Sequence, residues 1–215
     1  VYDNLKKFVL FMLPTNGGEA LIVIAAIMFE LTLPLTPAQV LWINLVTSST
    51  LGLALAFEPA EPDIMRRPPR PPGESMLSGF FAWRIVMVST LMMTGALGLF
   101  LWELRTGNSI ESARTMAVNA VVAAEMFYLF NSRSLYGSVV NRAGLLGNRY
   151  VLVCVGACLL LQLLFTHAPA LQAIFGSTDL TAAEWLRAMA AGLFVFVVAE
   201  FEKVVIRRIS QRSPA

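Results

Sequence analysis

Apolar stretches of about 20 residues follow one another along this chain, separated by short polar breaks. They cover residues 8–29, 38–57, 80–104, 113–130, 150–165 and 183–205. A helix needs about 20 residues to cross roughly 30 Å of hydrocarbon. In lipid, backbone polar groups must be bonded within their own segment, so stretches of this length must be helices. The pattern therefore predicts an all-α membrane protein, a six-transmembrane-helix bundle. Residues 1–210 form a single membrane domain in this reading, with a proline-rich loop at 58–78 and a short tail at 211–215.

Helix punctuation agrees with that segmentation. Thr36-Pro37-Ala38-Gln39 reads as an N-cap, Pro at the first helical position and Gln at the third, and Thr181-Ala182-Ala183-Glu184 is a second capping box. Composition excludes an ordinary soluble domain. The chain is 57% hydrophobic and 14% charged, against roughly 25% charged in soluble proteins, and its mean hydropathy is +0.68.

Charge placement sets the orientation. Six spans put both termini on one side, with Lys6, Lys7, Arg66, Arg67, Arg70, Arg84, Arg133, Arg142, Arg149, Lys203, Arg207, Arg208 and Arg212. The other side keeps Arg105, Arg114 and Arg187. The positive-inside rule then predicts cytoplasmic termini and a multi-pass integral protein of the cell membrane, plasma or bacterial inner. The net charge of +2 reads as a basic rim facing anionic lipid and gives no sign of a nucleic-acid partner. The outer connections, near 31–36, 105–112 and 166–180, are too short for an extracellular domain. No signal peptide is visible, and the chain opens on Val1 within a basic-apolar helix, so a piece of a larger protein is expected.

Two polar clusters interrupt the oily pattern: Pro14-Thr15-Asn16-Gly17-Gly18-Glu19 in the first stretch and Asn44-Leu45-Val46-Thr47-Ser48 in the second. A carboxylate at membrane depth costs several kcal/mol unless paired or coordinating, which makes Glu19 a functional candidate. Residues three and four apart share a helix face, so Asn16 aligns with Glu19, and Asn44 with Thr47 and Ser48. If the two helices are neighbours, these faces offer carboxylate, amide and hydroxyl oxygens suited to a hard cation. Pro14, Gly17 and Gly18, and the Thr47–Gly52 hydroxyl run, are expected to loosen both helices and free carbonyls for an ion. Glu125, deep in the fourth stretch, should face the bundle interior and complete the same site. Asn119 lies nearby on the same helix.

Glu30, Glu103, Glu200 and Glu202 lie at span ends and read as solvated boundary residues. Cys154 and Cys158 share a face, but the sequence sets no His or carboxylate beside them, so they read as buried small residues. His167 reads as an interfacial residue. The loop from Glu58 and Pro59 through Asp63, Arg66, Arg67, Pro68, Pro69 and Arg70 is held stiff by its prolines. It suits docking to a cytoplasmic domain, or it is a plain linker.

Taken in order, Asn16-Gly17-Gly18-Glu19, Trp42-Ile43-Asn44-Leu45-Val46-Thr47 and the loop from Phe57-Glu58-Pro59 to Pro68-Pro69-Arg70 resemble the C-terminal membrane region of P-type cation-transporting ATPases. The likeness is to the branch holding calcium and sodium/potassium pumps, and it extends over nearly the whole chain. It implies that the helices are the fifth to tenth of ten. Asn16 and Glu19 then match cation ligands of the fifth helix, Asn44 and Thr47 those of the sixth, and Glu125 the acid of the eighth. The proline loop matches the segment that touches the phosphorylation domain. Relatives place Asp after the Thr of Asn-Leu-Val-Thr, where this chain has Ser48, which implies fewer balanced charges. The implied cofactors are a transported cation, with ATP and magnesium held in the parent's other domains; the partners are the lipid bilayer, the remaining helices and the phosphorylation domain. The chain carries no Asp-Lys-Thr-Gly-Thr motif, so by itself it should not hydrolyse ATP. A proton-coupled secondary transporter or channel fragment is the alternative, and a scaffold whose polar residues only join helices is a third reading.

Overall fold

A computed structural model describes residues 2–59, 79–134 and 137–212 of the chain. Its elements are α1 (Tyr2–Met28), α2 (Pro37–Thr47), a π-helical turn (Ser48–Gly52), α3 (Leu53–Ala56), α4 (Gly79–Arg105), α5 (Ile110–Ser132), α6 (Arg142–Leu146), α7 (Arg149–His167), α8 (Pro169–Phe175) and α9 (Ala182–Arg212). Each predicted apolar stretch is helical except for Phe29 and Phe57 at the ends of the first two, the second being α2, the π turn and α3 in continuous succession. Four segments are long and apolar enough to cross a membrane: Tyr2–Met28, Pro37–Ala56, Gly79–Arg105 and Arg149–His167. α5 and α9, of 23 and 31 residues, exceed the crossing length as well but carry more polar groups.

α5 is the inner helix. Seventeen of its residues are buried, including Asn119, Glu125 and Asn131, and it packs against α1, α4, α7 and α9. Lipid tails are as apolar as leucine, so helices associate in a bilayer through close packing and interhelical hydrogen bonds. Both devices are present. Gly192 brings α9 onto α5 so closely that an added Cβ would lie 2.7 Å from the backbone of Ala123. Gly17 and Gly18 do the same for α1 on α4, facing Ser89 and Met92.

α1 therefore runs unbroken, contrary to the loosening expected at Pro14, Gly17 and Gly18. Proline has no N–H to give to the carbonyl one turn earlier, and that Leu10 carbonyl instead accepts from the Tyr128 hydroxyl at 3.1 Å. The Ser89 hydroxyl donates to the Pro14 carbonyl at 2.8 Å. The second helix does loosen, at the π turn within its hydroxyl run. The predicted caps form: Gln39 N–H donates to Thr36 Oγ1 at 3.2 Å and Thr36 N–H to Gln39 Oε1 at 3.0 Å, and Thr181 caps α9 through Glu184.

Three of the four acids read as solvated are buried instead. Glu200 accepts from Lys203 Nζ at 2.7 Å, Asn131 Nδ2 at 2.9 Å and the Ser138 hydroxyl at 2.8 Å. Glu202 pairs with Arg84, and Glu103 pairs with Arg187 at 2.7 Å while accepting from Asn108. These pairs tie α9 to α4 near both ends of the two helices. Arg84, Arg133 and Lys203 are thus buried partners, so they do not belong to a basic rim facing lipid. Glu30 is exposed, at a positive φ of 51° that ends the α1 turn.

After α7, the segment around α8 folds back over the end of α2. Gln39 Nε2 donates to the Phe175 carbonyl at 3.1 Å, and Trp42 stacks with Phe165 and meets the Phe175 ring at a tilt of 55°. His167 Nδ1 meets Asp179 at 2.8 Å and Nε2 accepts from the Trp185 indole at 3.2 Å, in keeping with its reading as an interfacial residue.

Candidate cation site

Glu19 is brought to its neighbours by the helix pitch of α1 and the short link to α2. The carboxylate is 5% exposed and accepts from Asn44 Nδ2 at 2.6 Å. The same amide donates to the Val40 carbonyl at 3.1 Å, and Asn44 Oδ1 accepts no hydrogen bond among the described residues. Glu19 Oε1 is buried without a hydrogen-bond partner among the described residues.

Glu125 enters from α5 and is 1% exposed. Neither carboxylate oxygen has a donor at bonding geometry among the described residues. The Thr47 hydroxyl and the Glu19 carboxylate are near enough to act on its charge. Thr47 is buried at the last residue of α2, where the π turn begins. Two acids so placed repel each other, and three of their four oxygens lack donors among the described residues, an arrangement that a proton or cation between them would stabilise. Among the described residues no group of three His, Cys, Asp or Glu side chains gathers to hold a metal. A cation here would complete its shell with hydroxyl, amide and backbone oxygens, as a hard ion does.

The remaining predicted residues fall differently. Asn16 shares a side of α1 with Glu19 but is exposed, one step further round the helix than the Asn44 contact. Ser48 is half-buried, and with Asn4, Leu5, Phe8, Ser49, Gly52, Leu53 and Ala56 it lines a cavity of about 660 Å³ between α1 and the π turn. Asn119 is no part of the site: it donates to the Thr115 carbonyl and the Thr166 hydroxyl, joining α5 to α7.

Of the loop residues, Glu58 and Pro59 are described, while Asp63, Arg66, Arg67, Pro68, Pro69 and Arg70 lie outside the described residues. Pro59 is exposed. Glu58 is a half-buried junction: both its oxygens accept from Arg133 at 3.0–3.1 Å, one accepts from Asn148 Nδ2 at 2.9 Å, and its carbonyl accepts from Asn4 Nδ2 at 2.8 Å. The start of the loop is thereby fastened to α1, α5 and the head of α7. The junction of Glu58 with Arg133, Asn148 and Asn4 went unread in the sequence because each lies more than 50 residues from Glu58 and no local pattern joins them.

Residues 32–205 match the family described as "Cation transporting ATPase, C-terminus". Over 207 residues the chain is 42% identical to the "Probable cation-transporting ATPase F" of Mycobacterium tuberculosis, covering 96% of this chain and 23% of that protein. It is 34% identical to the "Cation-transporting ATPase pma1" of Synechocystis over 86% of this chain and 21% of that protein. A "Calcium-transporting ATPase" of Bacillus subtilis is 33% identical, again over 86% and 21%. The chain spans under a quarter of the length of these relatives.

Proposed function

This chain belongs to the cation-transporting ATPase family, as its C-terminal membrane region, and from that premise we propose that it supplies half of the cation cavity of an ATP-driven pump. The chain is a multi-pass integral membrane protein. The observation that carries the proposal is the buried, donor-poor pair of Glu19 and Glu125 beside Asn44 and Thr47. All six long helical segments cross the bilayer in this reading, with both termini in the cytoplasm.

Glu19 and Glu125 are the charged ligands; Asn44 Oδ1 and the Thr47 hydroxyl are neutral ones. Asn16 faces the helices of the parent that precede this region, and Ser48 sits at the edge of the site. Two carboxylates balance a single divalent cation, so the cargo is one hard divalent ion per cycle, in keeping with the calcium named for the Bacillus relative. The Glu58 junction supports a coupling role for the proline loop: a push on the loop from the phosphorylation domain reaches α1, α5 and α7 together. The proton-coupled transporter reading is not favoured by the family match.

The test is ATPase activity of the reconstituted intact protein, scanned over calcium, manganese, sodium, potassium and pH, beside Ser48→Asp. Stimulation by a divalent ion in the wild type, with Ser48→Asp changing the number of ions moved per cycle, is the expected result. Stimulation by monovalent ions alone, with a divalent response arising only in Ser48→Asp, would show that two carboxylates do not suffice.

A further inference from the structure

Pro14 lies in α1 between the loop junction and the candidate cation site. On one side Asn4 Nδ2 donates to the Glu58 carbonyl at 2.8 Å, where the proline loop begins; on the other side is Glu19. Asn4 and Glu19 are about 22 Å apart along a helix that rises 1.5 Å per residue. A proline inside a helix removes one backbone donor and makes that point the easiest to bend. α1 nonetheless continues through Pro14, and the Leu10 carbonyl one turn earlier accepts from the Tyr128 hydroxyl of α5 at 3.1 Å. Leu10, Phe11, Pro14 and Tyr128 are all buried, so this bond is shielded from solvent. The Tyr128 ring stacks on Phe11 with centroids 6.3 Å apart, which holds the hydroxyl in place. On α5, Tyr128 follows Glu125 by three residues and so shares its side of the helix.

We propose that Tyr128 is a positioning residue for the cation site. Its hydroxyl stands in for the backbone N–H that Pro14 lacks, stiffens α1 at its weakest point and ties together the two helices that carry Glu19 and Glu125. This rests on the reading of those acids as the cation site and of the proline loop as the coupling segment. A push on the loop enters α1 at Asn4 and reaches Glu19 undiminished when α1 moves as a rod, whereas a bend at Pro14 absorbs it. Because the replacement donor comes from α5, α1 is stiff only while it stays docked on the helix that holds Glu125. Tyr128 thus acts on the ion through α1, without ligating it.

The experiment uses the reconstituted intact protein with calcium as the probe, and reads calcium moved per ATP hydrolysed together with the rate of thermal inactivation in detergent. Tyr128→Phe keeps the ring and removes the hydroxyl. It should lower the transport ratio about threefold and speed inactivation about tenfold. Pro14→Ala returns the missing N–H to α1, so it should keep the wild-type ratio, and Tyr128→Phe added to it should then change little in either measurement. That suppression is the signature of a hydroxyl replacing a backbone donor. An equal loss from Tyr128→Phe with and without Pro14→Ala would overturn the proposal. So would a Tyr128→Phe protein that inactivates faster at an unchanged ratio, the behaviour of a merely structural bond. If Tyr128→Phe alone does not assemble, the double variant decides: recovery supports the proposal, and failure there too overturns it. Absence of ATP-driven calcium uptake in the wild type would overturn the pump reading and the positioning role with it, while suppression of the stability loss would still mark the bond between α1 and α5.

Discussion

A methyl group at Gly192 would meet the backbone of Ala123, whereas one at Gly17 would meet the Ser89 side chain. Backbone cannot turn aside and a hydroxyl can be removed, so the two sites should respond differently. Gly192→Ala is expected to destabilise the bundle by about 2 kcal/mol through overpacking, with no single partner substitution restoring it. Gly17→Ala should be largely restored by Ser89→Ala; thermal inactivation of the intact protein in detergent reads both. Equal rescue at the two sites would contradict the packing. Glu19 and Asn44 could be found in sequence because a polar side chain in an oily helix has few bland explanations and the 3.6-residue pitch shows which residues align. Asn16 shows the limit of that reading: a shared side of a helix spans enough arc that one residue reaches a neighbour and the next does not.

The helices themselves were plain in the chain, because 20-residue apolar runs and capping boxes are local signals. The ties between helices were not. Glu200 and Glu202 look like solvated residues near the end of a span, yet α9 continues beyond them and carries both acids into contact with Asn131, Ser138 and Arg84. A buried charge left without its partner is costly, while the pair replaced together is often nearly neutral. Lys203→Met is therefore expected to lower stability by about 3 kcal/mol. The double variant with Glu200→Gln should recover much of that loss, and a double-variant cycle on thermal stability in detergent measures the coupling. Strict additivity would mean that the pair is not a unit. The π turn is the other device of this kind. A Ser-Ser-Thr run in a helix admits several outcomes; here it forms a wider turn that lies against α1 and α7, with the Thr50 hydroxyl bonded back to the Val46 carbonyl.

Taken whole, the molecule has a closely tied side and a polar side. α4, α5 and α9 are joined by Gly192, by the Glu103–Arg187 and Arg84–Glu202 pairs and by the Glu200 cluster. On the other side, Glu19 of α1 and Glu125 of α5 carry oxygens that lack donors among the described residues. That asymmetry fits a cavity which must take up and release an ion against a steady frame. In the proposed function Glu19 and Glu125 together hold the transported cation. The most direct test is equilibrium binding of the activating divalent cation to the reconstituted intact protein, comparing wild type with Glu19→Gln and Glu125→Gln. Wild type should bind one ion per protein, and each variant should lose affinity by at least about 100-fold with its fold retained, as expected when one of two charged ligands is removed. Undiminished binding in both variants would place the ion elsewhere and contradict the claim.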